Sequence, residues 1–205
     1  MSVGLNLKYY MFHKPGGCIT ATKDLEAKTV LDYFDREIRE GLFPVGRLDK
    51  DTEGLLLLTN DGQFSHRLMY PDKHVEKTYF FWAFGSLETE DREHLKTGVR
   101  IGNDEALAKA ENIDVKEEGT YQELQNHMNL ENRKEIRFNP YYQPVVAGYI
   151  TITEGRKHQV KRMLKAVGCY IVYLKRVSIG GLVLDERLAK GEYRELTSDE
   201  LSILK

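Results

Sequence analysis

Gly46-Arg47-Leu48-Asp49-Lys50-Asp51-Thr52-Glu53-Gly54 runs without a break into Leu55-Leu56-Leu57-Leu58-Thr59. A stretch dense in charge is followed at once by a continuous apolar run, the pattern of a strand buried on both faces. Asn60-Asp61-Gly62 closes the run with turn residues. A charged loop pinned against so apolar a strand presents its side chains at a surface cleft while the core beneath holds its backbone. Loops positioned on rigid scaffolds are where function concentrates.

Working outward, Phe43-Pro44-Val45 reads as a strand leading into the loop. Val30, Leu31, Phe34 and Ile38 have helical spacing, which predicts an amphipathic helix from Thr29 to Arg39 with Thr29 as its N-cap. Leu7 to His13 reads as a strand stopped by the turn residues Lys14-Pro15-Gly16-Gly17. On the other side, helices are expected from Gln63 to Met69 and from Thr89 to Lys96, the second ended by Gly98, and a strand from Thr78 to Phe84. Glu111 to Pro144 is polar and acidic and reads in part as an extended surface hairpin or loop. Tyr149 to Thr153 alternates as a half-buried strand does. Lys157 to Val167 reads as a basic helix ended by Gly168, then Tyr170 to Leu174 as a strand and the stretch after Gly191 as a last short one. Strands interrupted irregularly by short helices, without βαβ alternation, indicate an α+β fold with a largely antiparallel mixed sheet and flanking helices. The expectation is one domain over residues 1–205, with a small N-terminal subdomain over about 1–60 and a surface insertion over about 117–145.

The bulk numbers narrow the class. Of 205 residues, 41% are hydrophobic and 30% charged, a globular balance with enough apolar material for a core. No apolar run approaches the roughly 20 residues of a membrane helix, and the first residues lack the pattern of a signal peptide. Cys18 and Cys169 stand far apart without metal-ligand spacing, which argues against a disulfide framework or a zinc site and for a reducing cytoplasm. The net charge is -2, yet Arg156, Lys157, Lys161, Arg162, Lys165, Lys175 and Arg176 face only Glu154 in their segment, while acids gather around Glu117, Glu118, Glu123 and Glu131. A local basic face on an acidic remainder suits a polyanion partner, although a solvated helix gives the same pattern. Asp49-x-Asp51-x-Glu53-Gly54 imitates the start of an EF-hand loop, but the twelfth position is Asn60 where a bidentate Glu is needed. No metal is therefore expected.

Gly46-Arg47-Leu48-Asp49-x-x-Thr52-x-Gly54-Leu55-Leu56 resembles the signature of the ribosomal pseudouridine synthases, in the branch of the RsuA family. Lys77-Thr78-Tyr79 resembles the second motif and Glu154-Gly155-Arg156-Lys157-His158-Gln159-Val160-Lys161-Arg162-Met163 the third. Ile179-Gly180-Gly181-Leu182 and Gly191-Glu192-Tyr193-Arg194 continue the likeness in order, over nearly the whole chain.

The resemblance implies the pseudouridine synthase catalytic fold and isomerisation of a specific uridine in ribosomal RNA without any cofactor. It assigns the nucleophile to Asp49, base eviction to Arg47, stacking and late proton transfer to Tyr79, and the basic partner of the nucleophile to Lys161, with Arg156 and Arg162 as alternatives. Arg47, Arg156, Lys157, His158, Gln159 and Arg162 are the expected RNA-binding residues. Taken alone, Asp49 is a solvated loop acid and Tyr79 a core aromatic; His13 and His66 read as structural.

The chemistry fits these residue types. A carboxylate can hold one fragment covalently while the C1′–N1 bond breaks and the base turns to rejoin through C5. A nearby cation keeps it ionised while partly desolvated. Extrusion of the uridine costs on the order of a few kcal/mol, of which an aromatic platform returns about 1–3. Details around Gly62-Gln63-Phe64-Ser65-His66-Arg67 and Gly180-Gly181 tilt the expected substrate to small-subunit rRNA, free or in an assembly intermediate. A large-subunit target, or a catalytically inactive rRNA-binding assembly factor, is the alternative. A cytoplasmic monomer without membrane contact is expected. Two departures bear on the target: the catalytic strand is expected from about Leu7, where many members of the branch first carry a small RNA-binding module, as in a naturally short member or a trimmed chain, and the acidic stretch Glu111 to Glu135 is longer than usual.

Overall fold

The computed structural model describes residues 6–102, 106–128 and 140–204. Its strands are β1 (Tyr9–Lys14), β2 (Phe43–Val45), β3 (Glu53–Thr59), β4 (Lys77–Phe84), β5 (Asn112–Thr120), β6 (Pro144–Ile152), β7 (Tyr170–Ile179), β8 (Leu182–Val183) and β9 (Tyr193–Glu195). The helices are α1 (Arg36–Arg39), α2 (Gly62–Met69), α3 (Thr89–Thr97), α4 (Tyr121–Leu124), α5 (Gln159–Ala166) and α6 (Ser198–Ile203). The chain divides into two compact units, Met1–Lys77 with Lys175–Lys205, and Thr78–Leu174. The first therefore extends beyond residue 60 and takes back the C-terminal segment, a long-range pairing that linear order does not display. The architecture is α+β with mixed sheet and flanking helices.

In the first unit, β3 is the central strand of the order β7-β3-β1-β9. Antiparallel β1 covers one edge over its whole length, Tyr9 opposite Thr59 through Lys14 opposite Gly54. The other edge is shared. Antiparallel β2 takes the end at Leu57 to Thr59, and β7 pairs in parallel at Glu53 and Gly54. Enclosed in this way, Leu55, Leu56, Leu57 and Leu58 are all 0% exposed, and each such leucine contributes about 1.5–3 kcal/mol of burial. Leu55 and Leu57 point into a core with Met11, Phe64 and Leu68. Asp61 caps α2 by accepting from the Gln63 and Phe64 amides.

One helix departs from expectation. Thr29 to Arg39 is a 3-10 turn at Val30–Tyr33 followed by the short α1, with Phe34 in extended backbone between them. The Phe34 ring stacks on Tyr193 at 4.0 Å, and the Tyr193 hydroxyl donates to Asp35 at 2.8 Å. Packing on β9 pulls these residues out of the helix their spacing suggested. Thr29 still caps the turn, its amide and hydroxyl both donating to Asp32. The terminal helix α6 carries a local signal of its own, a capping box formed by Thr197 and Glu200.

The second unit has the order β5-β6-β4-β7. β5 and β6 pair antiparallel along their full length, with a bulge between Val115 and Glu117, so the expected surface insertion begins and ends in paired strand. Residues 129–139 of it lie outside the described residues. Trp82, Phe84, Tyr121, Met128, Val145 and Ala147 form the core here. α5 buries Val160, Met163 and Leu164 and leaves Arg162 and Lys165 exposed.

Candidate active site

The loop from Gly46 to Thr52 links β2 to β3, and its backbone is tied at nearly every step. The Thr52 amide donates to the Asp49 carbonyl at 3.1 Å, closing a turn that starts at Asp49. The Gly17 amide donates to the Lys50 carbonyl at 2.8 Å. Beneath the loop sits Lys14, 0% exposed. Its ammonium donates to the carbonyls of Thr52 at 2.9 Å, Pro15 at 3.0 Å and Lys50 at 3.2 Å. A buried ammonium has three donors to satisfy, and here all three go to main chain. Burial draws its pKa down, while the charges of Cys18, Asp51, Glu53 and Asp49 draw it up. The fixed charge thus lies among the carboxylates of the loop. Leu48 is buried, Asp49 half-buried, and Arg47 and Lys50 exposed. A carboxylate in that setting, on a backbone that cannot drift, can act as a nucleophile.

Gly54 explains how the loop enters β3. Its φ is +103°, and a Cβ there would collide with the Arg176 carbonyl oxygen, so only glycine permits the approach of β7. Arg176 is itself buried, with Nε donating to the Leu55 carbonyl at 2.8 Å. The EF-hand alternative is incompatible with this backbone, because Glu53 to Thr59 is strand where further ligands would have to stand.

By composition Lys14 belongs to a turn, and no local signal marks it as buried. It closes an otherwise apolar strand and precedes Pro-Gly-Gly, the composition of an exposed bend.

The remaining expected residues belong to the second unit. Tyr79 lies on β4 and is 9% exposed. The third motif forms the turn into α5. Glu154 accepts from Arg156 Nε at 2.9 Å and from Gln159 Nε2 at 2.8 Å, and the Arg156 amide donates to Gln159 Oε1 at 2.9 Å. Arg156 Nη1 also donates to the Ala106 carbonyl at 2.8 Å. Gln159 is buried and His158 takes a left-handed backbone, φ 54°. Arg156 and Gln159 therefore spend their polar atoms on the shape of the turn, while Lys157, His158 and Arg162 are exposed and Lys161 is half-buried.

Residues 8–166 match the family described as RNA pseudouridylate synthase. The chain is 47% identical over 197 residues, 96% of its length and 72% of the relative's, to an uncharacterized RNA pseudouridine synthase, YtzG, of Bacillus subtilis (strain 168). It is 37% identical over 195 residues to ribosomal small subunit pseudouridine synthase A of Escherichia coli (strain K12), covering 95% of this chain and 73% of that one. A pseudouridylate synthase crystal structure matches with a TM-score of 0.77 and 34% identity, over 98% of this chain and 74% of that one. Fold and loop together define an RNA-modifying isomerase. The chain belongs to the RNA pseudouridylate synthase family, the enzymes that convert uridine in RNA to pseudouridine.

Proposed function

We propose that the protein isomerises one uridine of ribosomal RNA, in the small subunit, with Asp49 as covalent nucleophile. The observation that carries this reading is the Asp49 loop itself: a half-buried carboxylate on a backbone held by the Lys14 ammonium above the buried β3. The choice of RNA is supported by the relatives named for small-subunit rRNA. In the proposed course, the Asp49 carboxylate bonds to the substrate, the C1′–N1 bond breaks, and the base turns. C5 then bonds to C1′ and the carboxylate is released; the proton lost from C5 is matched by one taken up at N1, the position freed when the C1′–N1 bond broke. Electrons and atoms balance within the uridine, and no outside reactant is consumed. Tyr79 is the stacking platform and serves the late proton transfer. Lys161 is the basic residue of the third motif, and Arg47, Lys157, His158 and Arg162 bind RNA. Arg156 and Gln159 act in binding by shaping the turn. The enzyme works as a monomer in the cytoplasm, on free rRNA or an assembly intermediate.

The test incubates unmodified small- and large-subunit rRNA transcripts with the wild-type protein and with Asp49→Asn, then maps pseudouridine by carbodiimide labelling and primer extension. One new stop on the small-subunit RNA, absent with Asp49→Asn, is expected. A stop on large-subunit RNA alone moves the target, and activity in Asp49→Asn removes the nucleophile.

A further inference from the structure

The residue just before Asp49 is held by a side chain from a distant part of the sequence. The Thr20 hydroxyl donates to the Leu48 carbonyl at 2.7 Å, and the Leu48 amide donates to the Thr20 hydroxyl oxygen at 3.1 Å. One hydroxyl thus satisfies both polar groups of the peptide units flanking Leu48, using its donor and one of its acceptor positions. Leu48 itself is buried, so those backbone groups have little water to turn to.

Thr20 is itself anchored. Ile19 forms a parallel bridge with Thr29, its amide donating to the Lys28 carbonyl and its own carbonyl accepting from Val30, each at 3.0 Å. Thr29 is 1% exposed and fixed by its bonds to Asp32. Short bonds thus tie Asp32 to Thr29, both neighbours of Thr29 to Ile19, and Thr20, next after Ile19 in the chain, to Leu48. Lys14 fixes the loop after Asp49, and Thr20 fixes it before.

We infer that Thr20 is a positioning residue for the nucleophile: its hydroxyl sets the backbone from which the Asp49 carboxylate projects. It touches no substrate and acts through Leu48. The inference rests on the reading of Asp49 as nucleophile. Covalent attack demands near-attack geometry, and a displacement of about 1 Å can cost on the order of a hundredfold in rate. Valine has the shape of threonine without the hydroxyl, so Thr20→Val removes both bonds at little change in volume.

The experiment measures kcat and KM of full-length wild type, Thr20→Val, Thr20→Ser and Asp49→Asn on the unmodified small-subunit rRNA transcript. All are assayed below the melting midpoint of the least stable variant. Thr20→Val is expected to lose about ten- to a hundredfold in kcat, with KM within about twofold of wild type because the RNA-binding surface is untouched. Thr20→Ser, which keeps the hydroxyl, restores most of the rate. A wild-type kcat in Thr20→Val overturns the inference. So does an equal loss in Thr20→Ser, or a Thr20→Val chain that does not fold at any assay temperature, since the role is then structural only. Full activity in Asp49→Asn instead removes the reading beneath it, and the two failures are told apart by which variant stays active.

Discussion

The Asp49 loop and the Glu154–Gln159 turn look alike in sequence, both short, charged and followed by a regular element, yet they are held in opposite ways. Around Asp49 the restraints come from outside the loop and are aimed at its main chain: Lys14 on the carbonyls of Lys50 and Thr52, Gly17 on Lys50, Thr20 on Leu48. In the turn before α5 the restraints are the motif's own side chains, Glu154 gripping Arg156 and Gln159. The first arrangement holds the loop through its main chain. The second uses its charged groups as scaffold and leaves only Lys157, His158 and Arg162 turned outward. A charged motif is thus no measure of how much charge reaches a partner.

The contrast breaks most sharply at Lys14. Lys14→Met keeps the aliphatic stem and strands the carbonyls that the ammonium bonded. A buried unsatisfied group costs about 1–3 kcal/mol, so a stability loss of roughly 3 kcal/mol or more is expected in urea titration, together with loss of turnover. Stability and activity both unchanged would mean that the loop does not depend on an external clamp. The corresponding cut in the other turn is milder. Glu154→Gln keeps the shape but removes the charge from bonds to Arg156 and Gln159, worth about 1 kcal/mol for a partly exposed ion pair. The one tryptophan, Trp82, is buried in the core of that unit, and its fluorescence is expected to show the earlier unfolding. A Glu154→Gln melt identical to wild type would make the two loops equivalent.

The outward residues sharpen the comparison further. If Arg156 is scaffold and Lys157 contact, Lys157→Ala lowers the salt dependence of RNA binding by about one unit of slope and leaves the melt unchanged. Arg156→Ala lowers the melt first. Equal effects on both measurements would erase the distinction.

What was legible in the sequence follows the same division. The four leucines, α2 and the second half of β6 could be read because their signals are local: an apolar run, helical spacing and alternation. The loop could be singled out because charge beside a buried strand is unusual, whereas Asp49 within it stood out only through the resemblance of its motif. The helix over Thr29 to Arg39 failed because its apolar spacing was correct while Tyr193, far along the chain, claimed Phe34 and Asp35. Lys14 and Thr20 were invisible for the same reason. Their meaning lies in carbonyls more than 25 residues away, and neither residue type announces burial. Gln159 is expected as a contact only from its place in the third motif, and its bond to Glu154 turns it inward.

Acid provides a last separation, because carbonyls do not titrate and carboxylates do. At the end of the first unit, Arg194 joins Asp185 at 2.9 Å and Glu200 at 2.7 Å, tying β9 to α6. The Arg194 guanidinium bonded to Glu200 holds its carboxyl at about 2, below the ordinary 4.5, and bonds from Arg187 hold Asp185 lower still. A carboxylate whose folded value is depressed contributes stability fully present above its unfolded value and lost as pH falls toward its folded one. Wild type is therefore expected to lose stability progressively from about pH 5 to pH 2, and Glu200→Gln to show a shallower fall over that range from a lower starting point. The Lys14 clamp keeps its ammonium and its neutral acceptors through the same titration. Hydrogen exchange at the Thr52 amide, bonded to Asp49, is accordingly expected to keep its protection after the amides of α6 have lost theirs. Simultaneous loss at both places would show that the loop owes its order to carboxylates after all.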